Sequence, residues 1–421
     1  MKDLLLKNLV PAEVLGQTRQ AVSRSALAAA ELIIAAVQRD GREALLDYGL
    51  QFGDLGPGDQ LVYGKEDLAA ARDRIPADQR QVLERTAGRI LRFAEAQRAI
   101  LRDMEIPVQG GRAGWRFLPV QRAGCYAPGG RFPLPSTVLM TAVTARTAGV
   151  GEVWVASPRP VDLTLAAAAV AGADAVLAAG GAQAIAALAY GVDGVPACDV
   201  IVGPGNQYVT AAKQLVTGQV GIDMLAGPSE LVILADGSAE PATIAADLLA
   251  QAEHDPDAVS ILVTAERGLA DAVNRELARQ LEDLPTSEIA MYALGNGGAV
   301  TALDQDQAIA LCNALAPEHL ELIVADPDRV AGQLDRYGAL FLGVGSAEVL
   351  GDYGAGPNHV LPTGGTARFS GPLSVQDFLV GRTWLRMEPG PESDAVARDA
   401  IALARMEGLE GHARSAELRL Q

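Results

Sequence analysis

Short apolar runs that stop at glycine or proline, each followed by a helical stretch, govern what this chain can fold into. "EVWVASP" (152–158), "ADAVLAAGG" (173–181) and "CDVIVGPGN" (198–206) are separated by helical patterns at 162–171, 182–190 and 207–217. Strand and helix alternating at this interval build a parallel sheet, because each parallel return needs a long crossover, most often a helix. A second series begins at "ELVILAD" (230–236). It continues through a helix at 242–254 opened by Pro241, "AVSILVTA" (258–265) and a helix near 267–282. It resumes at "HLELIVADP" (319–327) and "GALFLGV" (338–344). Ahead of both series, Ala and Leu at three- and four-residue spacing predict amphipathic helices over 26–47 and 66–103. From 395 the chain reads as a helical tail. The fold class is α/β, with two parallel-sheet units, one inserted in the other, an N-terminal helical segment and a C-terminal helical tail. The expected division is an arm at 1–20, a discontinuous unit at 21–119 and 231–378, an inserted unit at 120–230, and a tail at 379–421.

A chain of 421 residues is long enough for two or three such cores. Aromatic residues make up only 4%, while Ala and Gly are abundant, which suits helices packed closely on sheets rather than a β-sandwich. The net charge of −18 argues against a nucleic-acid surface and against an anionic membrane partner. No apolar run reaches the roughly 18–20 residues that span a bilayer, and "MKDLLLKNLVPAEV" lacks the apolar core of a secretory leader. Cys125, Cys198 and Cys312 are odd in number and show no C-x-x-C spacing. A reduced cytoplasmic protein is the economical expectation.

Three loops put small residues where a strand hands over to a helix: "CYAPGGRFPLPST" (125–137), "AGGAQAIAAL" (179–188) and "VGPGNQYVTAAK" (202–213). Glycine lets backbone N–H groups approach a phosphate at a helix N-terminus. Gly203 and Gly205 start like a dinucleotide fingerprint, and Asp223 falls where a ribose-binding acid is expected, but the third glycine is missing. Ordinary strand-to-helix turns also need glycine, so residue pattern alone leaves the ligand open.

The four histidines, His254, His319, His359 and His412, all lie beyond residue 250 in polar, turn-rich contexts. Gln251 and His254 are an i, i+3 pair on one helical face, and Asp352 follows Gly351 in a glycine-rich stretch after an apolar strand. An imidazole, a carboxylate and an amide oxygen suit zinc, although amides are poor metal ligands. A metal site and a solvated helix end both remain open for this set. In "APEH" (316–319), Pro317 ends a helix and places Glu318 and His319 at the entrance of a strand. That is either a general acid/base pair or a capped helix end followed by an exposed turn.

Six ordered motifs settle these alternatives by resemblance. "AGPSE" (226–230), "QAEH" (251–254), "APEHLEL" (316–322), "GDYGAGPNHVLPT" (351–363), "SVQDFL" (374–379) and "EGLEGHARS" (407–415) together resemble the histidinol dehydrogenase family. The similarity starts from "GREALLDYGLQFGD" (41–54) and spans nearly the whole chain. It implies a zinc-dependent homodimer of two Rossmann-like domains that oxidises L-histidinol to L-histidine in two steps, each passing a hydride to NAD. Carried over residue by residue, it implies Gln251, His254, Asp352 and His412 as zinc ligands and Glu318 and His319 as the acid/base pair. Ser229 and Glu407 join these residues around the substrate, with Glu407 and His412 supplied by the tail of the dimer partner. Tyr126, Gln183 and Asn206, one in each glycine loop, match the NAD contacts. The cofactor is then NAD in a pose unlike the usual Rossmann one, and Asp223 loses its ribose role. His359 is implied as an active-site neighbour. "VGRTW" (380–384) departs from the family's more basic continuation, and Cys125, with no histidine near it, reads as a small packed residue. The competing readings are a zinc- and NAD-dependent dehydrogenase of another amino or sulfonated alcohol, a metal-dependent hydrolase, and a two-domain binding protein.

Overall fold

The computed structural model describes residues 5–16, 22–56, 58–129 and 133–420. Both amphipathic stretches near the N-terminus divide in two. After β1 (Asn8–Leu9) and α1 (Pro11–Gly16), the first forms α2 (Arg24–Asp40) and α3 (Arg42–Gln51). Gly41 separates them at φ 59, and its N–H closes α2 on the Val37 carbonyl. Beyond β2 (Val62–Gly64), the second forms α4 (Lys65–Arg74) and α5 (Ala77–Ile100). Pro76 forces that break, because the residue before a proline is driven out of the helical region, and Ile75 is extended at φ −70, ψ 153. β3 (Met104–Val108) and β4 (Gly111–Pro119) follow as a hairpin that the sequence reading passed over.

The next unit keeps the expected alternation. It runs β5 (Arg122–Tyr126), α6 (Pro135–Ala148), β6 (Glu152–Ala156), α7 (Asp162–Val170), β7 (Ala175–Leu177), α8 (Gly181–Tyr190), β8 (Val200–Val202), α9 (Gln207–Val216) and β9 (Gly221–Ile222). Its sheet has the order β2-β7-β6-β5-β8-β9 and is parallel apart from β2. The order reverses between β5 and β8, so a crevice opens at their carboxyl ends, where open α/β sheets take ligands. The helices of 24–100 differ from the expected division. They pack on this sheet rather than on the one built after residue 230. Ala30, Ile33, Ile34 and Val37 of α2 share a core with Ala184, Ala187 and Val209, while Leu83, Ala87 and Ile90 of α5 share one with Val138 and Val153. The alanines of α8 and α9 leave room for those larger side chains, each contributing about 1.5–3 kcal/mol on burial.

The last part runs β10 (Glu230–Ala235), α10 (Pro241–Ala252), β11 (Val259–Thr264), α11 (Leu269–Gln280), α12 (Ser287–Leu294), β12 (Gly298–Thr301) and α13 (Gln305–Leu315). It continues with β13 (His319–Ile323), α14 (Pro327–Ala331), β14 (Ala339–Leu342) and α15 (Glu348–Asp352). The sheet order is β1-β12-β11-β10-β13-β14, all parallel. Among the described residues β1 is thus the one strand before residue 62 that joins it, and the residues of the other sheet lie between β1 and β10. Every residue of β10 is buried, as a central parallel strand covered on both faces requires.

The tail begins as a strand, not a helix. β15 (Leu379–Met387) pairs antiparallel with β4 from Leu379↔Pro119 to Met387↔Gly111, in a sheet of order β15-β4-β3. "VGRTW" lies inside this pairing. A Cβ on Gly381 would sit 2.0 Å from the Trp115 ring and one on Gly114 2.4 Å from Trp384, so each glycine makes room for the opposing tryptophan. α16 (Pro391–Met406) and α17 (Glu410–Glu417) supply the expected helices. No helix among the described residues is long and apolar enough to cross a membrane.

Candidate active site

Glu318 and His319 are delivered by a sharp reversal. α13 stops at Ala316, which adopts a left-handed φ of 45, and Pro317 prevents the helix from continuing. β13 then starts at His319, in register with Leu231 of β10. Glu318 is buried, and its Oε2 accepts the Glu230 N–H at 2.8 Å. His319 Nδ1 lies 3.1 Å from the Glu230 carbonyl. A carbonyl only accepts, which assigns a proton to Nδ1 and leaves Nε2 as the nitrogen that can gain or lose one. That Nε2 is buried without a hydrogen-bond partner, 3.6 Å from Asp352 Oδ1. Both residues therefore sit at the amino edge of their sheet, the opposite edge from the β5–β8 crevice of the other one.

The surrounding field is acidic. Glu318 Oε2 and Glu348 Oε1 stand 3.6 and 3.7 Å from His319 Nδ1. Burial pushes the imidazole down, but Glu348, Glu318 and Asp352 together outweigh it and hold His319 well above its ordinary value. Burial raises the Glu318 carboxyl to about 7. Burial also raises Glu348, Glu321 and Asp247, and Asp247 adds to the rise of Glu321. Asp352 goes the other way: burial would raise it, yet the facing His319, His359 and His254 hold it below the carboxylate range. At 3.6 Å the Asp352–His319 contact is an ion pair rather than a hydrogen bond.

Of the proposed ligands, His254 approaches Asp352. Asp352 closes the five-residue helix α15 rather than lying in a loop, with Glu348 one turn before it on the same face. His254 lies two residues past the end of α10, and the turn is kept by its N–H on the Gln251 carbonyl at 3.3 Å. His254 Nε2 is 3.9 Å from Asp352 Oδ2. Gln251 is fully buried, and neither atom of its amide has a partner. His359 donates from Nδ1 to the Asp352 carbonyl, 2.8 Å away, while its buried Nε2 is unpartnered. The ligand atoms of His319, Glu348 and Asp352 also lie within 4.8 Å of one another. A buried polar atom left unsatisfied costs about 1–3 kcal/mol, so orphans gathered at one point fit a bound cation or polar ligand. Ser229 is half-buried at the start of β10. Glu407 and His412 are exposed on α16–α17, whose buried cluster of Ile401, Ala404 and Ala413 is its own. Among the described residues, neither side chain is bonded to the group around His319.

The three glycine loops meet at the β5–β8 crevice. Tyr126 ends β5, and a Cβ on Gly203, at φ 114, would lie 2.0 Å from the Tyr126 carbonyl. Tyr126 is buried, its hydroxyl oxygen accepts the Gly181 N–H at 3.1 Å, and burial pushes its phenol up to about 12. Gln183 donates from Nε2 to Asp54 Oδ2 at 2.9 Å. Asn206 caps α9, accepting from the N–H groups of Tyr208 and Val209 at 3.0 and 3.2 Å. Asp223 is no ribose ligand. Its side chain is buried against Lys213 Nζ and accepts the Gly203 N–H at 2.7 Å, which locks the loop. Burial likewise pushes the Cys125 thiol up to about 12, as expected of a packed, inert cysteine.

The sequence profile of histidinol dehydrogenase matches residues 17–420. The chain belongs to the histidinol dehydrogenase family. The histidinol dehydrogenase of Thermus thermophilus is 50% identical over 390 residues, covering 92% of this chain and 93% of the relative. That of Aromatoleum aromaticum is 46% identical over 400 residues, covering 93% and 91%. The crystal structure of histidinol dehydrogenase from Elizabethkingia anophelis superposes with a TM-score of 0.91 at 29% identity, over 100% of this chain and 99% of that one. The chain is therefore an enzyme of the dehydrogenase class, with the α/β fold of that family. Four acids escaped the sequence reading: Asp54, Asp247, Glu321 and Glu348. Asp247 precedes Gln251 by four on a helix, Glu321 follows His319 by two on a strand, and Glu348 precedes Asp352 by four on a helix. Those periods put each of these last three acids on the face of a named site residue, a signal the sequence already carried.

Proposed function

We propose that this enzyme oxidises L-histidinol to L-histidine through histidinal, with two NAD reduced per histidine formed. The observation that carries the reading is the cluster of buried, unpartnered polar atoms around Asp352, beside an acid/base pair, in a chain of this family. Gln251, His254 and Asp352 would hold zinc, with His412 of the partner subunit as the fourth ligand. Gln251 fits despite the weakness of amide ligands, because its buried amide has nothing else to bind. Zinc would serve as a template for the substrate's imidazole and amine, both good zinc ligands. NAD supplies the hydride acceptor for each oxidation.

His319 takes the alcohol proton at Nε2 as hydride leaves the carbinol carbon, while Nδ1 stays on the Glu230 carbonyl. The aldehyde must gain water before a second hydride can leave. Glu318, its carboxyl raised to about 7 by burial, takes a proton from that water in its ionised form, and His319, having passed the first proton to solvent, takes the proton of the hydrate in the second step. Ser229, the residue before β10, contacts the substrate. Glu407 and His412 of the partner subunit close the site and limit the escape of the reactive aldehyde. Exposed Leu403, Met406 and Leu418 beside these two residues support a homodimer in which the tails are covered. Tyr126, Gln183 and Asn206 contact NAD. Three buried, unpaired cysteines suit a cytoplasmic setting.

The test is turnover of purified protein with L-histidinol and NAD, counting NADH and histidine. Two NADH per histidine is expected. One NADH with histidinal accumulating, or no NADH, would overturn the reading.

A further inference from the structure

The residues that rim the β5–β8 crevice show which of its polar groups are still available. The α8 N-terminus follows the glycine pair Gly180–Gly181, the arrangement that ordinarily cradles a phosphate. Here both N–H groups are already engaged. Gly180 N–H donates to Asp54 Oδ2 at 2.8 Å, and Gly181 N–H donates to the Tyr126 hydroxyl oxygen at 3.1 Å. The α9 N-terminus is filled in the same way by its own Asn206. A carboxylate already seated on a helix start repels a second anion there.

Among the described residues of the rim, one buried side-chain polar atom is left without a partner. Gln183 is 1% exposed, and its Nε2 is committed to the same Asp54 oxygen at 2.9 Å. The amide is planar, so fixing the nitrogen end turns Oε1 the opposite way. That Oε1 is buried and has no hydrogen-bond partner. The space beside it is kept open by a glycine: a Cβ on Gly181, at φ 60, would lie 2.8 Å from it. Asp54 is itself nearly buried, on the turn after α3.

We infer that Asp54 is a positioning residue of the dinucleotide site, which orients the Gln183 amide so that its oxygen accepts a hydrogen bond from an N–H or O–H donor of NAD. This rests on the reading that Gln183 contacts NAD. It also states what the Gln183 oxygen at the α8 end of the crevice takes: a ribose hydroxyl or the carboxamide N–H. The Tyr126 hydroxyl, whose oxygen already accepts, can donate its own proton to the same ligand. Acceptor and donor then stand side by side.

The test is a double-mutant cycle on NAD affinity, read by calorimetry with the full-length protein. Loss of one neutral hydrogen bond predicts that Gln183→Ala and Asp54→Ala each raise Kd for NAD about three- to tenfold. If Asp54 acts through Gln183, the double variant binds no more weakly than Gln183→Ala alone. Asp54→Asn, whose amide oxygen can still accept from Gly180 and Gln183, should stay within about threefold of wild type. Gln183→Glu keeps acceptor oxygens but loses the N–H that Asp54 holds, so it should bind NAD poorly, and adding Asp54→Asn should restore binding. That pair changes little in size and serves if Asp54→Ala fails to fold. Repeating the cycle with ADP-ribose identifies the donor: coupling persists for a ribose hydroxyl and vanishes for the carboxamide, and either supports the assignment once coupling is seen with NAD. Additive losses in the double variant, or Asp54→Ala binding NAD like wild type while Gln183→Ala does not, would overturn the inference alone. Gln183→Ala binding NAD like wild type would overturn the underlying NAD contact as well.

Discussion

Glu318→Gln separates the two oxidations and has a stability signature that can be worked out beforehand. The glutamine oxygen can keep accepting the Glu230 N–H, so the β10–β13 junction should survive. What disappears is a buried carboxylate. Burial lifts this group from 4.5 to about 7. A carboxyl whose folded pKa is raised leaves stability intact below the unfolded value and erodes it as pH rises through the folded one. The erosion therefore begins near pH 4.5 and is complete above about 7. At about 1.4 kcal/mol per pKa unit it amounts to about 3 kcal/mol. In chelator-treated protein, Glu318→Gln should gain on wild type by about that much between pH 4.5 and 8 in denaturant titrations. In the zinc-loaded enzyme, oxidation of supplied histidinal should fall by about a hundred- to ten-thousandfold, and oxidation of histidinol to histidinal far less. The assay is single-turnover NADH formation from each substrate. Histidinal oxidised at the wild-type rate would refute the role of Glu318, and a stability difference flat with pH would refute the burial argument.

Other perturbations follow from the same geometry. His319→Asn should slow both oxidations by about a hundred- to ten-thousandfold in the same assay, because one base serves both steps. Glu348→Gln removes one of the carboxylates that hold the His319 proton, so the ascending limb of the pH–kcat/KM profile for histidinol should move to lower pH. Chelation should abolish NADH formation while far-UV circular dichroism stays near native, and added zinc should restore activity. The ligands lie on elements that hydrophobic cores already hold in place, so unfolding on chelation would contradict this.

Much of the fold could be read from the sequence because the parallel strands are short apolar runs with clear stops. The runs at 152–158, 198–206 and 230–236 become β6, β8 and β10 almost where expected. Which sheet the helices of 24–100 cover was not legible, since an amphipathic face says that it will be buried, not against what. β15 was missed because Gly381 interrupts its alternation, and the reason for that glycine is Trp115 on another strand. The site was legible where residues adjoin in sequence, as in Gln251–His254 and Glu318–His319. The acids Glu348 and Glu321 share a face with Asp352 and His319 by their spacing, but their burial beside His319 needed the structure. Asp223 shows the converse. Its spacing fitted a ribose ligand, but a buried Lys213 ten residues earlier claims it.

The central claim is that a single centre, with Gln251, His254 and Asp352 from one copy and His412 from the other, carries both oxidations. Mixed dimers test it most directly. His254→Ala and His412→Ala homodimers should each be nearly inactive. When the two are unfolded, mixed and refolded, a mixed dimer has one site with both lesions and one with neither. Random pairing makes about half the dimers mixed, so about a quarter of wild-type activity should return, with two NADH per histidine. No recovery, with exchange between the two variants verified, would contradict the shared centre.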